Sequence, residues 1–229
     1  MASRRIPANI VYRLAEKKDS GKILDYLLKW FTIDEPCCRA LKMKLPVMTE
    51  LYGTTVERCV ANPFSTVVEK DGEIIGTLLA SVYNRSDPIE EADFKVSDYP
   101  ENVKLFVQFL NKSHRNFWDL APKDVDTVLH REIASVAKPM MRSGIASGFV
   151  TTQMTKERLE KYNVGGCMSN TTSLANQKLQ EKYKWKTLLA IPYSDLVDAN
   201  GKQVLKLDDG STHIKLNYKS IKDYDNLPD

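Results

Sequence analysis

Residues 129–149 read "LHREIASVAKPMMRSGIASGF". The first nine, "LHREIASVA", are rich in apolar and β-branched residues and read as a strand. The stretch from Phe149 onward, "FVTTQMTKERLEKY", reads as a helix. Between them lie a proline, two glycines four apart and almost nothing acidic. A strand, a small-residue turn and a helix together are how chains build sites for phosphate or pyrophosphate. Gly144 and Ala146 would let a ligand approach the backbone closely. The N–H groups of residues 142–146 would be free at a helix start, where the dipole also favours anions. The stretch lacks G-x-x-x-x-G-K-[ST], so it is not a nucleotide-cradling P-loop. It also lacks G-x-G-x-x-G with an acidic residue about 20 positions on, so a dinucleotide fold is not supported. On the residues alone two readings stay open: an anion-binding turn, or a tight strand-to-helix connection whose small residues serve packing.

Outward from this stretch the elements alternate in type. "IVYRLA" (10–15) reads as a first strand, and "KILDYLLKWF" (22–31) as a helix with Asp19 or Ser20 as its cap. Residues 46–61 form a second helix. "STVVEKDGEIIGTLLASVYN" (65–84) is a hairpin around Asp71-Gly72. Residues 87–100 read as a polar loop, and 101–117 as an amphipathic helix. "VGGCMSN" (164–170) is a short strand, followed by a helix whose start, Thr171 to Ser173, offers hydroxyl caps. Strands at 186–193 and 212–221 close the chain. This order predicts an α/β fold, a mixed sheet with helices on its faces.

At 229 residues the chain suits one domain spanning 1–229. With 33 basic and 30 acidic residues, the formal charge of +3 is too balanced for a nucleic-acid or membrane-surface binder. No apolar run approaches the ~18 residues of a membrane span, and the opening "MASRRIPANI" has no apolar core behind its basic residues. The expectation is a cytoplasmic protein, a monomer or weak dimer, without nucleic-acid or membrane partners. Cys37, Cys38, Cys59 and Cys167 show neither metal-ligand nor disulfide spacing and read as packed thiols. His114, His130 and His213 are far apart, so no metal is expected.

The segment "IASVAKPMMRSGIASGF" resembles the acetyl-CoA motif of the GNAT superfamily of N-acetyltransferases, where a strand of the type "-SV-" precedes [QR]-x-x-G-x-[GA] at a helix start. Here the pattern falls on Met141, Arg142, Ser143, Gly144, Ile145 and Ala146. Met141 stands where the family has Arg or Gln, with Arg142 one place later. That departure touches a side-chain phosphate contact rather than the backbone amides. More of the chain is similar to the insect-type arylalkylamine N-acetyltransferase branch: "FTIDEPCCRAL", "GEIIG" at 72–76, "TTSLANQKLQEKYKW" and "DDGSTHIKLNYKSI", in that order over residues 10–222. The resemblance implies a mostly antiparallel central sheet of about seven strands flanked by helices on both faces. It implies acetyl-CoA as cofactor and a small primary amine, an arylalkylamine, as acceptor. A polyamine or protein-lysine acceptor, or a CoA-binding protein with little catalysis, are the alternatives.

Amine acetylation needs few parts. An alkylamine with a pKa of roughly 10 is protonated at neutral pH, so a base must take its proton. The oxyanion wants a fixed donor, and the departing thiolate an acid. Pro36 disfavours the α conformation at Glu35, so the first helix should end there with Glu35 turned out. A helix C-terminus opposes a carboxylate's charge and moves it toward a base's working range; a new helix starting at Pro36 would partly cancel that. With the resemblance, Glu35 is the expected base and Asp34 its neighbour at the ammonium. A backbone N–H of Ser135, Val136 or Ala137 would serve the oxyanion. Thr172 and Ser173 are the candidate acids, with helix capping as their other role. Asn176 would hydrogen-bond the pantetheine arm. Gln180 falls where some relatives carry a tyrosine acid. The acceptor pocket should lie between the first two helices, the 87–100 loop and the loop before the last strand, with Phe31, Met48, Tyr52 and Tyr193 as candidate walls.

Overall fold

A computed structural model describes residues 9–87, 99–225 and 227–228. Seven strands make one sheet: β1 (Ile10–Leu14), β2 (Thr66–Lys70), β3 (Glu73–Asn84), β4 (Thr127–Val136), β5 (Gly166–Thr171), β6 (Lys186–Pro192) and β7 (His213–Ser220), in the order β1-β2-β3-β4-β5-β7-β6. Every neighbouring pair is antiparallel except β4 and β5. A parallel pair needs a crossover, and the segment from Lys138 to Gly165 supplies it. Asp71 and Gly72 both have positive φ, 52° and 82°, as a two-residue hairpin turn requires. The expected mixed, mostly antiparallel sheet is therefore present.

Helices cover both faces. On one lie α1 (Ser20–Tyr26), a π turn (Leu27–Phe31), α2 (Thr32–Asp34), α3 (Pro36–Ala40), α4 (Leu45–Val60), α5 (Glu101–Arg115) and α6 (Phe117–Leu120). On the other lie α7 (Ile145–Gly148), α8 (Lys156–Lys161) and α9 (Leu174–Lys182). Strand alternation divides the core between them. Val67, Leu79 and Ile133 pack with Ile23, Leu27, Met48 and Val56. Val68 and Leu78 pack with Ile145 and Phe149. All four cysteines are free and buried. Among the described residues no helix is long and apolar enough to cross a membrane, and no group of His, Cys, Asp and Glu could hold a metal ion.

One element differs from the sequence reading. The helix expected over 149–162 is broken: α7 has four residues, Gln153 takes a positive φ of 63°, and Thr155 caps a separate α8 by accepting from the Arg158 N–H. The β-branched pair Thr151-Thr152 is poor helix material, and nothing in its periodicity marked the break. The first helix extends to Asp34 through the π turn. Asp19 stands at its N-cap, but its carboxylate is taken by Arg13 and by the Glu16 N–H.

One irregularity prepares the site. β4 pairs with β5 only from Val128 to His130, opposite Gly166 to Met168. Beyond that, β4 follows β3 and β5 follows β7. A wedge opens between two central strands, and the register of β3 and β4 shifts at the same level, with Glu132 as the extra residue. Such bulges re-aim a side chain.

Candidate active site

Glu35 sits at a break in the chain. It has φ −75° and ψ 124°, outside the helical region, and Pro36 follows as the first residue of α3. The carboxylate caps that helix: Oε2 accepts from the Cys38 N–H at 2.6 Å. It thus lies between the C-terminus of α2 and the N-terminus of α3, whose fields oppose each other there. Of the two arrangements the sequence allowed, this is the one with a second helix at Pro36. Glu35 is 8% exposed.

The second oxygen reaches across the wedge. Thr172 Oγ1 donates to Glu35 Oε1 at 2.9 Å. Thr172 lies between β5 and α9, and its backbone is pinned: its carbonyl accepts from Tyr193 OH (2.8 Å) and Ser211 Oγ (2.9 Å). Of the two hydroxyls expected to cap α9, Ser173 does so, accepting from the Asn176 N–H, and Asp209 accepts from the Leu174 N–H. Thr172 is left for Glu35.

Glu35 and Thr172 open into a cavity of about 610 Å³ on the α1–α5 side of the sheet. Phe31, Met48, Tyr52, Tyr83, Phe106 and Leu110 are among its walls. The expected residues Phe31, Met48 and Tyr52 are present. Tyr193 is not; it lies behind Thr172, 2% exposed, as a support rather than a wall. Asp34 is turned to Lys138, 3.6 Å away. Asp87 lies on the rim, while residues 88–98 of the expected loop lie outside the described residues.

A smaller cleft lies on the α7–α9 side, lined by Arg131, Ala134, Ala146, Phe149, Ser169, Asn176, Gln180, Tyr183 and Trp185 among others. Its free volume is about 30 Å³, so an extended ligand would lie along its mouth or displace side chains. Two of the expected cofactor residues, Ala146 and Asn176, line it. The turn leading in has Arg142 at φ 62° and Gly144 at φ 94°, so the backbone reverses where a glycine is needed. Ser143 Oγ donates to the Met140 carbonyl, Ile145 is buried in the core, and Met141 is exposed. Ala137 is excluded as an oxyanion donor because its N–H already bonds the Ile75 carbonyl. By the alternation of an antiparallel ladder, Ser135 also faces β3, and its hydroxyl meets Tyr26 OH. The N–H of Val136 turns to the open side.

Glu132 lines both spaces. It receives Arg58 Nε at 3.0 Å and Ser81 Oγ at 2.6 Å, with His130 Nδ1 4.0 Å away. Burial pushes its carboxyl up, but Arg58, His130 and Ser81 together hold it at about 2. The rings of His114 and His130 lie 4.9 Å apart, tilted by 51°. Burial, and then the neighbouring His130, hold His114 down at about 3; burial lowers His130 as well. Sequence separation of 16 residues hid this pair, and only the bulge places Glu132 beside it.

The open wedge, the bulge and the crossover turn together define the GNAT fold. No protein-family model and no curated protein sequence matches the chain. Solved structures do. The chain is similar to arylalkylamine N-acetyltransferase 2 from Aedes aegypti, with a TM-score of 0.79 and 21% identity over 93% of this chain and 99% of that one. It is similar to the Drosophila melanogaster polyamine N-acetyltransferase that forms N-acetylagmatine, with a TM-score of 0.75 and 15% identity over 93% and 100%. The C-terminal condensation domain of Ebony, in complex with β-alanyl-dopamine, follows with a TM-score of 0.68 and 19% identity over 93% and 99%. At these identities the likeness establishes the fold.

Proposed function

We propose that this chain is an acetyl-CoA-dependent N-acetyltransferase whose acceptor is a small primary amine carrying an aromatic ring. The observation that carries this is the Glu35–Thr172 pair at the mouth of an aromatic-walled cavity, on the far side of the wedge from the crossover turn. The relatives named above acetylate amines or bind an amine conjugate, and the fold is theirs.

Acetyl-CoA, when bound, supplies the acetyl group as a thioester. The turn from Lys138 to Ala146 and the cleft walls Ala146 and Asn176 would hold it, with amides rather than a dedicated side chain at Met141. Glu35 accepts a proton from the ammonium, leaving the lone pair free. Thr172 fixes the carboxylate's orientation and can return that proton through its hydroxyl. The Val136 N–H is the fixed donor for the oxyanion. Phe31, Tyr52 and Phe106 exclude water and seat the ring.

One observation favours a second acceptor class. Asp87 shares the cavity with Glu35, and its carboxylate accepts from Asn84 without a cationic partner among the described residues. A polyamine could place its far ammonium there.

Thiol release from acetyl-CoA separates these readings, using tyramine, dopamine, octopamine, serotonin, spermidine, agmatine and a lysine peptide. Turnover on the aromatic amines that collapses in Glu35→Ala supports the proposal. Turnover confined to spermidine or agmatine, and lost in Asp87→Asn, assigns the second class. CoA binding without turnover leaves a cofactor-binding protein.

A further inference from the structure

The larger cavity has a polar end that the chemistry above does not use. Its wall on α5 changes character along the helix: Phe106, Val107 and Leu110 give way to Asn111 and His114. On the sheet, His130, Asn170 and Thr172 line the same space. The contacts of α5 fix the direction. Phe109 lies 6.0 Å from the ring of Tyr193, which holds the Thr172 carbonyl. Four residues on, Ser113 Oγ donates to Asn170 Oδ1 at 2.7 Å. Four further, Phe117 packs in one cluster with Met168. The helix thus runs from the level of Thr172 past Asn170 to Met168. Thr172 and Asn170 are two residues, or about 7 Å, apart along the extended chain. His130 sits opposite Met168, and the ring of His114 meets it. Both imidazoles therefore lie beyond Asn170 as seen from Glu35.

This end is polar and unpartnered. The ring nitrogens of His114 and His130 make no hydrogen bond among the described residues, and Glu132 is 4.0 Å from His130 Nδ1, outside bonding range. Ser113 occupies Asn170 Oδ1, which leaves the Asn170 amide N–H groups without an acceptor among the described residues, and the Asn111 side chain has no partner there either. Unpaired polar groups in a largely enclosed space are costly and call for a ligand that satisfies them. Burial keeps both imidazoles neutral at ordinary pH. A neutral imidazole offers one donor and one acceptor, and a side-chain amide offers both. A second ammonium suits this end poorly, because the charge of Glu132 is already taken by Arg58 and Ser81. A carboxylate would meet Glu132 itself. A hydroxyl, which both donates and accepts, matches the set.

We propose that His114 and Asn170 determine acceptor specificity by hydrogen-bonding a hydroxyl group on the far side of the acceptor's aromatic ring. The inference rests on the aromatic-amine reading above and narrows it to ring-hydroxylated amines. With the amine nitrogen at Glu35, a para hydroxyl lies roughly 8 Å away by ordinary bond lengths. That reach brings it to the level of Asn170, where the histidine pair begins, with the ring against Phe106 and Leu110 on α5.

The test compares tyramine with phenethylamine, which differ only in the ring hydroxyl, by thiol release from acetyl-CoA. Wild type should favour tyramine in kcat/KM by about tenfold or more, because phenethylamine leaves the polar end unpaired. His114→Phe and Asn170→Leu should each lower that ratio by about threefold or more, and the double variant should bring it close to one. His114→Gln, which keeps a donor and an acceptor, should retain part of the preference. Both amines are assayed on one preparation, so the ratio does not depend on how much of a variant folds. Equal kcat/KM for the two amines in wild type overturns the inference. So does a preference that survives in both His114→Phe and Asn170→Leu. Loss in one variant alone assigns the hydroxyl to that residue. Turnover of neither amine removes the aromatic-amine reading itself, and this inference with it.

Discussion

Thr172 donates its hydroxyl hydrogen to Glu35 at 2.9 Å, across a sequence separation of 137 residues. The contact joins the break before α3 to the strand end before α9, at the wall of the larger cavity. If Glu35 is the base, Glu35→Gln should lower kcat/KM for the accepted amine by about 10²-fold or more. The deficit should narrow as pH approaches the amine's own pKa of roughly 10, because more free base is then present without help. Thr172→Ser should stay near wild type, and Thr172→Val should lose activity with little loss of stability. A pH-independent deficit in Glu35→Gln would argue for a purely structural carboxylate.

Arg58 and Glu132 form a pair that one substitution should expose. Arg58→Met leaves the Glu132 carboxylate buried without its cation, at a cost of about 2 kcal/mol, the low side for a buried pair because the Arg58 side chain is 38% exposed. Without Arg58, burial raises the Glu132 carboxyl, so the loss should be largest at neutral pH and shrink in acid, where Glu132 is protonated. Urea unfolding of both proteins at several pH values reads this directly.

His114 should make the fold acid-sensitive. Its imidazole is held at about 3 in the folded chain, below the ordinary 6.5 of an unfolded histidine. As pH falls through 6.5 the unfolded chain gains a proton that the folded one refuses, so stability declines from there toward pH 3. Glu132, held at about 2, adds a second decline in the same direction once pH drops below the ordinary range of glutamate. His114→Gln should flatten the upper window by about one proton, seen as a smaller slope of unfolding free energy against pH. An unchanged slope would contradict the burial assigned to His114.

Gly166 begins β5 where Tyr218 of β7 leans over it. A Cβ at that position would lie 2.3 Å from the tyrosine ring. Gly166→Ala should therefore destabilise the fold by about 1–3 kcal/mol through overpacking. Tyr218→Ala in the same chain should recover part of that loss, giving a favourable coupling in a double-mutant cycle.

Much of the fold was legible locally. Alternation at 65–84 with Asp71-Gly72 between the runs fixed the hairpin, and the hydrophobic spacing of 101–117 fixed α5. Pro36 fixed the break at Glu35, since a proline constrains the residue before it whatever the tertiary context. The interruption between α7 and α8 and the π turn were not legible. Both leave the hydrophobic period nearly intact while changing the backbone, and what decides them is packing against the sheet.

Within the site the division follows the same line. Sequence by itself determined that Glu35 leaves the helix, that Gly144 turns the crossover, and that a hydroxyl among Thr171 to Ser173 caps α9, because each depends on neighbours within four residues. Only the tertiary structure decided that Ala137 is spent on β3, that Tyr193 stands behind Thr172, and that His114, His130, Arg58 and Glu132 share one cavity wall. Those contacts join elements far apart along the chain. They exist because β4 and β5 part after three pairs and a bulge turns Glu132 inward, and strand register at that range is set by the whole sheet rather than by any local run of residues.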